Sequence, residues 1–422
     1  MTIGSIENVA VLVIINGFQE LKVSGEVNKH KQLISNSPGI TELVQVLSAC
    51  DVIAFDTEFI RDSTFFPKVE IIQLATEKDS WIVDVQAFQN HKEELKPLLG
   101  VFTDRNILKV AHAIQGDQES LLTTFGVVAS PSIDTAIAAS FCGYGDSVGL
   151  AALVKEVLGQ TIKKGHARTN WSVRPLPDQL IDYALADVEY LVVLWKKLAE
   201  KLEGNGRKSW ALQTSQKYED PKIYAPKPEE LALKIASSHR LDKKGFAALV
   251  ELVQWRELRV REANLPRRWV ADDNVLLDLA RVKPKDLEHL KAFRGLNKGE
   301  IRNSGQVILE ALERASKNEN VVLPERNKFE TPSEDEAQVL DLLKCYLGIK
   351  ANRLKIASRH LAGANQLLNL IRSKVKTVDE IISNKIMSGM AADLVGKELI
   401  SILDGKIALS VKDGRIEEVE IK

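Results

Sequence analysis

Between about residues 30 and 200, short apolar runs alternate with segments in which apolar residues recur every three or four positions. Short apolar or alternating runs predict strands, and the longer period predicts amphipathic helices. The candidate strands are HKQLI, DVIAFDTEF, VEIIQLAT, SWIVDV and ILKVAHA, and the candidate helices are ITELVQVLSA, LKPLLGVF, DQESLLTTF, SVGLAALVKEVLG and PDQLIDYALADVEYLVVLWKKLAEKL. Three consecutive strands favour an antiparallel meander followed by crossovers. The pattern predicts an α/β domain with helices covering a mixed sheet.

The pattern then changes. Gly, Pro and polar residues cluster in EGNGRKSW and EDPKIYAPKPEE, which predicts a linker over 204–228. Helical periodicity predominates over 229–317, a second polar linker covers 318–333, and another helical segment starts at residue 334. The chain ends in IALSVKDGRIEEVEI, which predicts a β-hairpin. The helical segments 229–317 and 334–422 have similar lengths, so we interpret them as candidates for diverged copies of one module.

The first 29 residues contain an apolar run, Val9 to Ile15, which is too short to span a bilayer. No basic residue precedes it and no small-residue cleavage site follows, so it does not have the pattern of a secretory signal. We interpret residues 1–29 as an N-terminal extension that adds a strand, or as a stretch ahead of the true start of the protein.

Composition changes this picture in three ways. A chain of 422 residues with 45% hydrophobic and 27% charged residues predicts two or three domains. Its net charge of −1 excludes a global positive field, so a nucleic-acid partner must be met by local patches. The three cysteines are far apart and form no C-x-x-C pair, so the sequence suggests neither a disulfide framework nor a zinc site. We expect a cytoplasmic protein.

Two carboxylates, Asp56 and Glu58, interrupt the strand DVIAFDTEF. Side chains two positions apart on a strand project from the same face, so both acids point at the same small volume. Like charges at that distance repel, and burying either one without a partner is unfavourable. An exposed pair on an edge strand is the ordinary alternative. If the pair is buried, a cation must lie between the two acids.

Two further acidic positions strengthen this hypothesis. Asp117 follows a strand end in KVAHAIQGDQESLL and lies in the first turn of a predicted helix. The ordinary alternative is that an acid at this position is stabilised by the positive end of the helix dipole. Tyr183 and Asp187 stand four apart on a helix, and Asp187 borders the apolar stripe, although an exposed acid beside a tyrosine is common. Four carboxylates share a site only when cations neutralise them, and oxygen ligands select Mg²⁺ or Mn²⁺. Such a site suits phosphoryl transfer.

The stretches FDTEF, HAIQGDQESL and DYALADVEYL resemble the three motifs of the DEDD 3′–5′ exonuclease superfamily. Within it, the sequence is most similar to the bacterial ribonuclease D family. KKGHARTNWSVRPLPDQLIDYALAD is similar to the segment that leads into the third motif, and LVQWRELRVREANLPRRWVADDNVLLDLARVKPKDLEHLKAFRGL resembles an HRDC domain. The resemblance covers roughly residues 30 to 410. It implies a ribonuclease H-like α/β exonuclease domain over 30–203 and two all-α HRDC-type domains over 229–317 and 334–422.

The third motif carries tyrosine four residues before its last Asp, as in the tyrosine subtype of this superfamily. The resemblance implies two divalent metal ions, Mg²⁺ or Mn²⁺, and a tyrosine, Tyr183, that positions the attacking water. The metal ligands that it implies are Asp56, Glu58, Asp117 and Asp187. The product it implies is a nucleoside 5′-monophosphate.

Several other residues are candidates for RNA contacts. Phe59 is a candidate for stacking on the terminal base, with a place in the core as the alternative, and Gln73 is a candidate for a hydrogen bond to that base. His112 is a weaker candidate, because a structural histidine is the ordinary case at a strand end. In KKGHARTNWSVRP, Arg168 and Trp171 belong to a basic segment with an aromatic residue, whose alternative is a solvated charge run.

LPRRWV adds Arg267 and Arg268 as candidate phosphate contacts, and we expect the neighbouring Trp269 to lie in the core. Between Leu231 and Lys317 the chain has 18 Lys and Arg against 12 Asp and Glu. This segment therefore carries a positive balance that the whole chain lacks, and phosphate attraction by it should be sensitive to salt.

The sequence thus predicts a cytoplasmic, monomeric, metal-dependent 3′–5′ exoribonuclease that does not enter membranes. The expected substrates are tRNA precursors and other small structured RNAs. Two alternatives stay open, a DNA-directed exonuclease of the same superfamily and a catalytically idle RNA-binding scaffold. An idle or purely structural protein has no electrostatic reason to keep the four acids and Tyr183 together.

Overall fold

The computed structural model describes residues 31–162, 169–236, 241–293, 295–318 and 332–421. The predicted N-terminal extension, residues 1–29, lies outside these ranges, and so does Arg168 with the basic stretch that precedes it. Within them, no helix is both long and apolar enough to cross a membrane.

A mixed sheet of six strands, counted over the described residues, lies at the centre of the N-terminal half. Its spatial order is β1-β4-β3-β2-β5-β6. Strands β2, β3 and β4 form the predicted antiparallel meander, β1 pairs with β4 in parallel, and β5 and β6 continue in parallel from β2. The strands are β1 (Lys31–Ile34), β2 (Val52–Ile60), β3 (Lys68–Ala75), β4 (Ser80–Asp84), β5 (Leu108–Ala111) and β6 (Ser132–Asp134).

Helices cover both faces of this sheet, as the α/β prediction requires. One face packs against α1, α2 and α3 through a core that includes Phe55, Leu74 and Leu98. The other packs against α4, α5 and α7 through a second core that includes Ala54 and Val110. The helices are α1 (Ser37–Ser48), α2 (Lys96–Thr103), α3 (Gln115–Phe125), α4 (Thr135–Phe141), α5 (Leu150–Leu158), α6 (Asp178–Ala186) and α7 (Leu191–Gly204). Strand β6 and helix α4 were not predicted, because a three-residue strand leaves almost no pattern.

The prediction of one continuous helix through PDQLIDYALADVEYLVVLWKKLAEKL is wrong. Helix α6 ends at Ala186 and α7 begins at Leu191. The amides of Val188 and Leu191 instead donate to carbonyls three residues back, on Leu185 and Val188, so the chain turns tightly between the two helices. No Gly or Pro marks this break. Its consequence is that Asp187 lies at a helix end.

Residues 204–228, predicted as a linker, form ordered structure against the edge of the sheet. Helix α8 (Lys208–Gln216) is followed by two 3₁₀ turns, Lys217–Glu219 and Pro221–Tyr224. Ser215 Oγ accepts a hydrogen bond from the amide of Asp134 at 3.2 Å, and Glu219 Oε1 accepts one from the amide of Ser132 at 2.7 Å. These side chains satisfy backbone donors of the edge strand β6, which would otherwise be open to pairing with another chain.

The first helical module, residues 229–317, contacts the loop that follows strand β2. Asn264 ends α10 in the left-handed conformation, and its Oδ1 accepts hydrogen bonds from the amides of Phe65 and Phe66 at 3.1 and 3.0 Å. The Phe65 ring lies in the core of this module, beneath the guanidinium groups of Arg261 and Arg267. Helices here are α9 (Pro228–Ala236), α10 (Lys243–Ala263), α11 (Arg267–Val270), α12 (Asp273–Val282), α13 (Leu287–Ala292) and α14 (Lys298–Lys317).

The second helical module, residues 334–421, packs on α4 of the N-terminal α/β domain. The His360 ring stacks on Phe141 with centroids 3.8 Å apart, and Arg207 donates to the carbonyls of Phe141 and Lys355, at 3.1 Å each. Gly143 has φ of +83° and approaches Lys355 so closely that a Cβ there would lie 2.8 Å from the Lys355 Cβ. The α/β domain and this module therefore share one continuous core.

The elements of this module are α15 (Glu334–Leu354), α16 (Ala364–Ser373), α17 (Val378–Ser383), α18 (Gly389–Ala391), a π-helical turn (Ala392–Gly396) and α19 (Lys397–Leu403). They are followed by the predicted hairpin, β7 (Ile407–Lys412) and β8 (Arg415–Glu420). Its turn residues, Asp413 and Gly414, both have positive φ, as a two-residue hairpin turn requires.

Candidate active site

Three carboxylates converge at the end of strand β2. Asp56 and Glu58 project from the same face of the strand, and Asp187 approaches them from the end of α6. One carboxylate oxygen from each of the three lies within 4.8 Å of the others. A β-bulge between Glu58 and Phe59 shifts the pairing with β3. Bulges re-aim side chains next to active sites, and this one follows directly after the second acid.

The fourth predicted acid, Asp117, lies in the first turn of α3 and is buried. Its Oδ1 accepts hydrogen bonds from the amide of Thr57 at 3.0 Å and from the Thr57 hydroxyl at 2.6 Å. The Thr57 hydroxyl is also 2.9 Å from that of Ser120. Asp117 does not join the group of oxygens within 4.8 Å. Because both lone pairs of Oδ1 are engaged, a metal ligand from this side chain would be Oδ2.

Burial raises the pKa of all four acids. Burial is the largest cause, and neighbouring carboxylates add to it for the strand residues: the pKa of Asp56 lies well above its usual range and that of Glu58 is raised to about 8. Burial also raises the pKa of Asp117 to about 7 and that of Asp187 to about 6. For Asp187, a hydrogen bond from Tyr183 lowers the pKa and so opposes the effect of burial. The acids cannot all ionise at neutral pH unless a cation joins them.

The donor set fits a divalent metal of the hard class. All four side chains offer carboxylate oxygens, and among the described residues no His or Cys joins the group that could hold an ion. Oxygen ligands of this kind suit Mg²⁺ or Mn²⁺, and few carboxylates leave room for water and for phosphate oxygens.

Tyr183 remains a phenol at neutral pH. Burial, and then the charges of the three acids of the strand and helix end, raise its pKa, and its hydroxyl donates a hydrogen bond to Asp187. Its ring stacks on Trp171 with centroids 6.1 Å apart. Trp171 is buried, with 5% of its surface exposed, so it supports the tyrosine and leaves little ring surface for an RNA base.

Arg174 fixes the segment that carries Trp171. Its Nε and Nη2 donate to the two carboxylate oxygens of Asp84, both at 2.7 Å. Its Nη1 donates to the carbonyls of Trp171 and Val173 at 2.7 and 2.8 Å. Asp84 ends strand β4, so this bidentate pair joins the sheet to the chain ahead of α6. Arg174 therefore belongs to the protein framework, although it lies in the segment predicted to contact RNA.

We expect Arg174→Ala to lower kcat by about 10- to 100-fold while KM for a short RNA changes little. The physical reason is that the Trp171 ring loses its anchor and the Tyr183 hydroxyl is no longer held in place. Arg174→Lys should resemble Arg174→Ala, because an ammonium cannot form the bidentate pair. Trp171→Phe, which keeps a ring on Tyr183, should retain most activity. Steady-state kinetics with circular dichroism of each variant check this, and an effect confined to KM would contradict it.

The three further candidates for RNA contacts lie in different settings. Phe59 is partly exposed, with its ring facing Gly116, so part of it is open to a nucleotide. Gln73 is completely buried; its Nε2 is 3.5 Å from Asp56 Oδ2, and its Oε1 has no partner among the described residues. That burial leaves Gln73 no surface for a base. The ring nitrogens of His112 contact Thr135 Oγ1 and the Val148 carbonyl, at 2.9 and 3.1 Å, which is the setting of a structural histidine.

The two arginines of the first helical module differ. Arg267 forms a bidentate pair with Glu257, at 2.7 and 2.6 Å, and covers the Phe65 ring, so its guanidinium is engaged within the protein. Arg268 is exposed. The expectation that Trp269 lies in the core is wrong, since 46% of its surface is exposed. Helix α11 has only four residues and directs Val270 inward, so the preceding residue faces outward.

Some residues of the site were not predicted. Thr57 lies between the two strand acids and faces away from them in the β alternation, so its role in holding Asp117 has no local signal. Asp84 is 90 positions from Arg174, and neither residue belongs to a periodic pattern. The sequence identifies the acids, but long-range partners that orient them appear only in the folded chain.

Comparison with known proteins places the chain in a family. A 3′–5′ exonuclease domain model matches residues 32–203, and an HRDC domain model matches residues 246–312. Ribonuclease D of Zymomonas mobilis is 35% identical, over 91% of this chain and 97% of that protein, and ribonuclease D of Bartonella henselae is 32% identical, over 95% and 97%. The chain belongs to the ribonuclease D family.

Structural similarity agrees with this assignment. The crystal structure of Escherichia coli RNase D superposes with a TM-score of 0.71 and 28% identity, over 87% of this chain and 99% of that chain. The protein is therefore a 3′–5′ exoribonuclease of the DEDD superfamily, whose members depend on divalent metal ions. The predicted family, fold class and enzyme class are confirmed.

Proposed function

We propose that Asp56, Glu58, Asp117 and Asp187 hold two divalent ions and that the enzyme releases nucleoside 5′-monophosphates one at a time from RNA 3′ ends. The observation that carries this proposal is the convergence of Asp56, Glu58 and Asp187, with carboxylate oxygens within 4.8 Å and their pKa values raised. When bound, the ions supply Lewis acidity for the attacking water and charge neutralisation for the departing 3′-oxygen.

The protein groups supply position. Asp56 and Glu58 come from a central strand and Asp117 from a helix tied to it by Thr57, so these ligands are held rigidly. Tyr183 stays protonated and is held by Trp171 and Asp187, which suits it to orient the attacking water by hydrogen bonding. Phe59, next to Glu58, is placed to stack on the terminal base.

Similarity to the E. coli enzyme, which is described as an exoribonuclease involved in structured RNA processing, supports structured RNA as the substrate class. Within that class we propose 3′-extended tRNA precursors. We propose a monomeric, cytoplasmic enzyme with an exonuclease domain over 30–203 and HRDC-type modules over 229–317 and 334–422. All three cysteines are free thiols, as a reducing compartment allows.

The test is a paired digestion of a 3′-extended tRNA precursor and a single-stranded DNA of matching sequence, each with Mg²⁺, Mn²⁺ or EDTA. We expect metal-dependent release of 5′-mononucleotides from the RNA, monitored by chromatography of a 3′-end-labelled substrate. Degradation of DNA alone would overturn the substrate and keep the chemistry. No release from either substrate in any metal would favour the idle scaffold.

A further inference from the structure

The first helical module has an open cavity of about 580 Å³ beside the exposed Trp269. Leu265, Val270 and Leu296 supply apolar surface, while Arg268 and Asn297 supply polar groups. Gly295 also lines it with bare backbone at φ of +102°, a conformation that favours glycine. We call this the Trp269 cavity. An aromatic side chain with nearly half its surface exposed at the rim of a cavity is an unusual use of a tryptophan, which ordinarily packs.

The charges around the cavity favour an anionic ligand. Glu300 is its acidic lining residue, but it is buried and forms a bidentate pair with Arg259, at 3.1 Å for both contacts, with a further hydrogen bond from Ser304. Arg268 is exposed, and no carboxylate of the described residues pairs with it. Lys298 follows the lining residue Asn297 and is exposed as well. Among the described residues that line the cavity, the charged groups are thus the exposed Arg268 and a carboxylate, Glu300, that is already paired.

Side-chain contacts connect the cavity to the exonuclease site. Arg267, the residue before Arg268, covers the ring of Phe65, and Asn264 accepts hydrogen bonds from the loop amides of Phe65 and Phe66. That loop continues from strand β2, which carries Asp56 and Glu58. Another residue of the loop, Arg61, pairs with Glu119 on α3, the helix of Asp117. The cavity is therefore connected by direct contacts to the strand and the helix that carry the proposed metal ligands.

We propose that the Trp269 cavity binds the single-stranded RNA upstream of the 3′ end, with one base stacked on Trp269 and its phosphate paired with Arg268. This inference rests on the proposed function and adds a second contact point for the same substrate. An aromatic face with adjacent cations is the combination that holds unpaired nucleotides without sequence preference. A protein partner fits less well, because the module has 18 basic against 12 acidic residues between Leu231 and Lys317.

A binding experiment tests the site without requiring catalysis. Fluorescent single-stranded RNA of about 20 nucleotides is titrated into Asp56→Asn protein that also carries Trp269→Ala, Trp269→Phe, Arg268→Ala or Arg281→Ala. We expect Trp269→Ala to weaken binding by about tenfold and Trp269→Phe to retain most affinity, because stacking needs only an aromatic face. Arg268→Ala should lower the slope of log K against log salt by about 0.7, since one phosphate contact on a single strand is lost. Arg281, exposed and paired with Asp278 outside the cavity, is the matched charge control and should leave the slope unchanged.

Kinetics give a second readout. With active enzyme, Trp269→Ala should raise the ratio of KM for an RNA of about 20 nucleotides to KM for one of about 4 by about tenfold, because the short RNA does not span both sites. An equal rise of both KM values would overturn the proposal, since it would indicate general damage. Displacement of the long RNA by a nucleoside 5′-monophosphate, lost in Trp269→Ala, would also overturn it and indicate a product site. If digestion fails but binding responds as expected, the RNA site stands and the catalytic proposal falls.

Discussion

Asp56→Asn is expected to reduce exoribonuclease activity by about 10³-fold or more and, in EDTA at pH 8, to make the protein more stable. Activity falls because Asp56 is one of the proposed metal ligands and an amide cannot supply the negative charge that a divalent ion needs. Stability rises because burial and three neighbouring carboxylates oppose ionisation of Asp56 in the folded protein. The gain should amount to roughly 1 °C in Tm for each kcal/mol of repulsion removed, because the entropy of unfolding a chain of 422 residues is large.

Asp62→Asn is the matched control. Asp62 is exposed in the loop that follows β2, so the substitution removes the same charge without touching the acid cluster. We expect it to change neither activity nor Tm in EDTA. The measurements are release of acid-soluble nucleotide and thermal unfolding with and without Mg²⁺. If Asp56→Asn lowered Tm in EDTA as well as activity, the loss of activity would reflect damage to the fold and the argument from repulsion would fail.

A loss of activity together with a gain of stability on Asp56→Asn would distinguish a functional acid cluster from a structural one. A carboxylate that holds a fold together has a lowered pKa, as Glu336 has beside Arg372, where the pKa falls to about 2. The active-site acids are shifted in the other direction. They weaken the metal-free fold, and binding of the proposed ions would make their presence favourable.

The alternation of a strand was enough to predict that Asp56 and Glu58 share a face, because that rule is local. The helical spacing of Tyr183 and Asp187 was also informative, and the structure joins them by a hydrogen bond. What the spacing did not predict is that α6 ends between them. The turn from Ala186 to Leu191 arises because Val188 and Leu191 are buried in the core shared with α4 and α5, which is a tertiary effect.

Charged and aromatic side chains in polar segments were the least predictable. Arg174 and Trp171 have the composition of an RNA-binding loop, yet both are bound within the protein. Asp84, the partner of Arg174, lies 90 positions away, and Tyr183, the partner of Trp171, lies on the helix that follows. For Trp269 the prediction was wrong in the opposite direction. A large aromatic residue in a helical module suggested a core position, but the short helix α11 places its side chain at the surface. Local sequence gives the chemistry of a side chain, and its environment is set by contacts over tens or hundreds of residues.

At limiting divalent metal, activity is expected to fall more than tenfold per pH unit as the pH decreases from about 8 to about 6. The pKa of Glu58 is raised to about 8, that of Asp117 to about 7 and that of Asp187 to about 6, so protons compete with metal throughout this window. If about two protons leave for each ion bound, a hundredfold increase in metal should move the midpoint of the pH profile down by about one unit. A midpoint independent of metal concentration would show that another group controls the profile.

The stability of the metal-free protein should change with pH in the opposite sense. Each acid has a pKa in the folded protein above its value in the unfolded chain, so the folded protein binds more protons. The stability that this contributes is fully present below about pH 4. It is lost as the pH rises through the folded-state pKa values toward about 8. Unfolding in EDTA should therefore become easier from about pH 5 to about pH 8, and saturating Mg²⁺ should reverse that trend. Asp56→Asn should flatten the EDTA profile, and Asp62→Asn should not. Ionisation of these acids favours activity and lowers the stability of the metal-free protein. Both measurements therefore report the same electrostatic repulsion, which bound metal would offset.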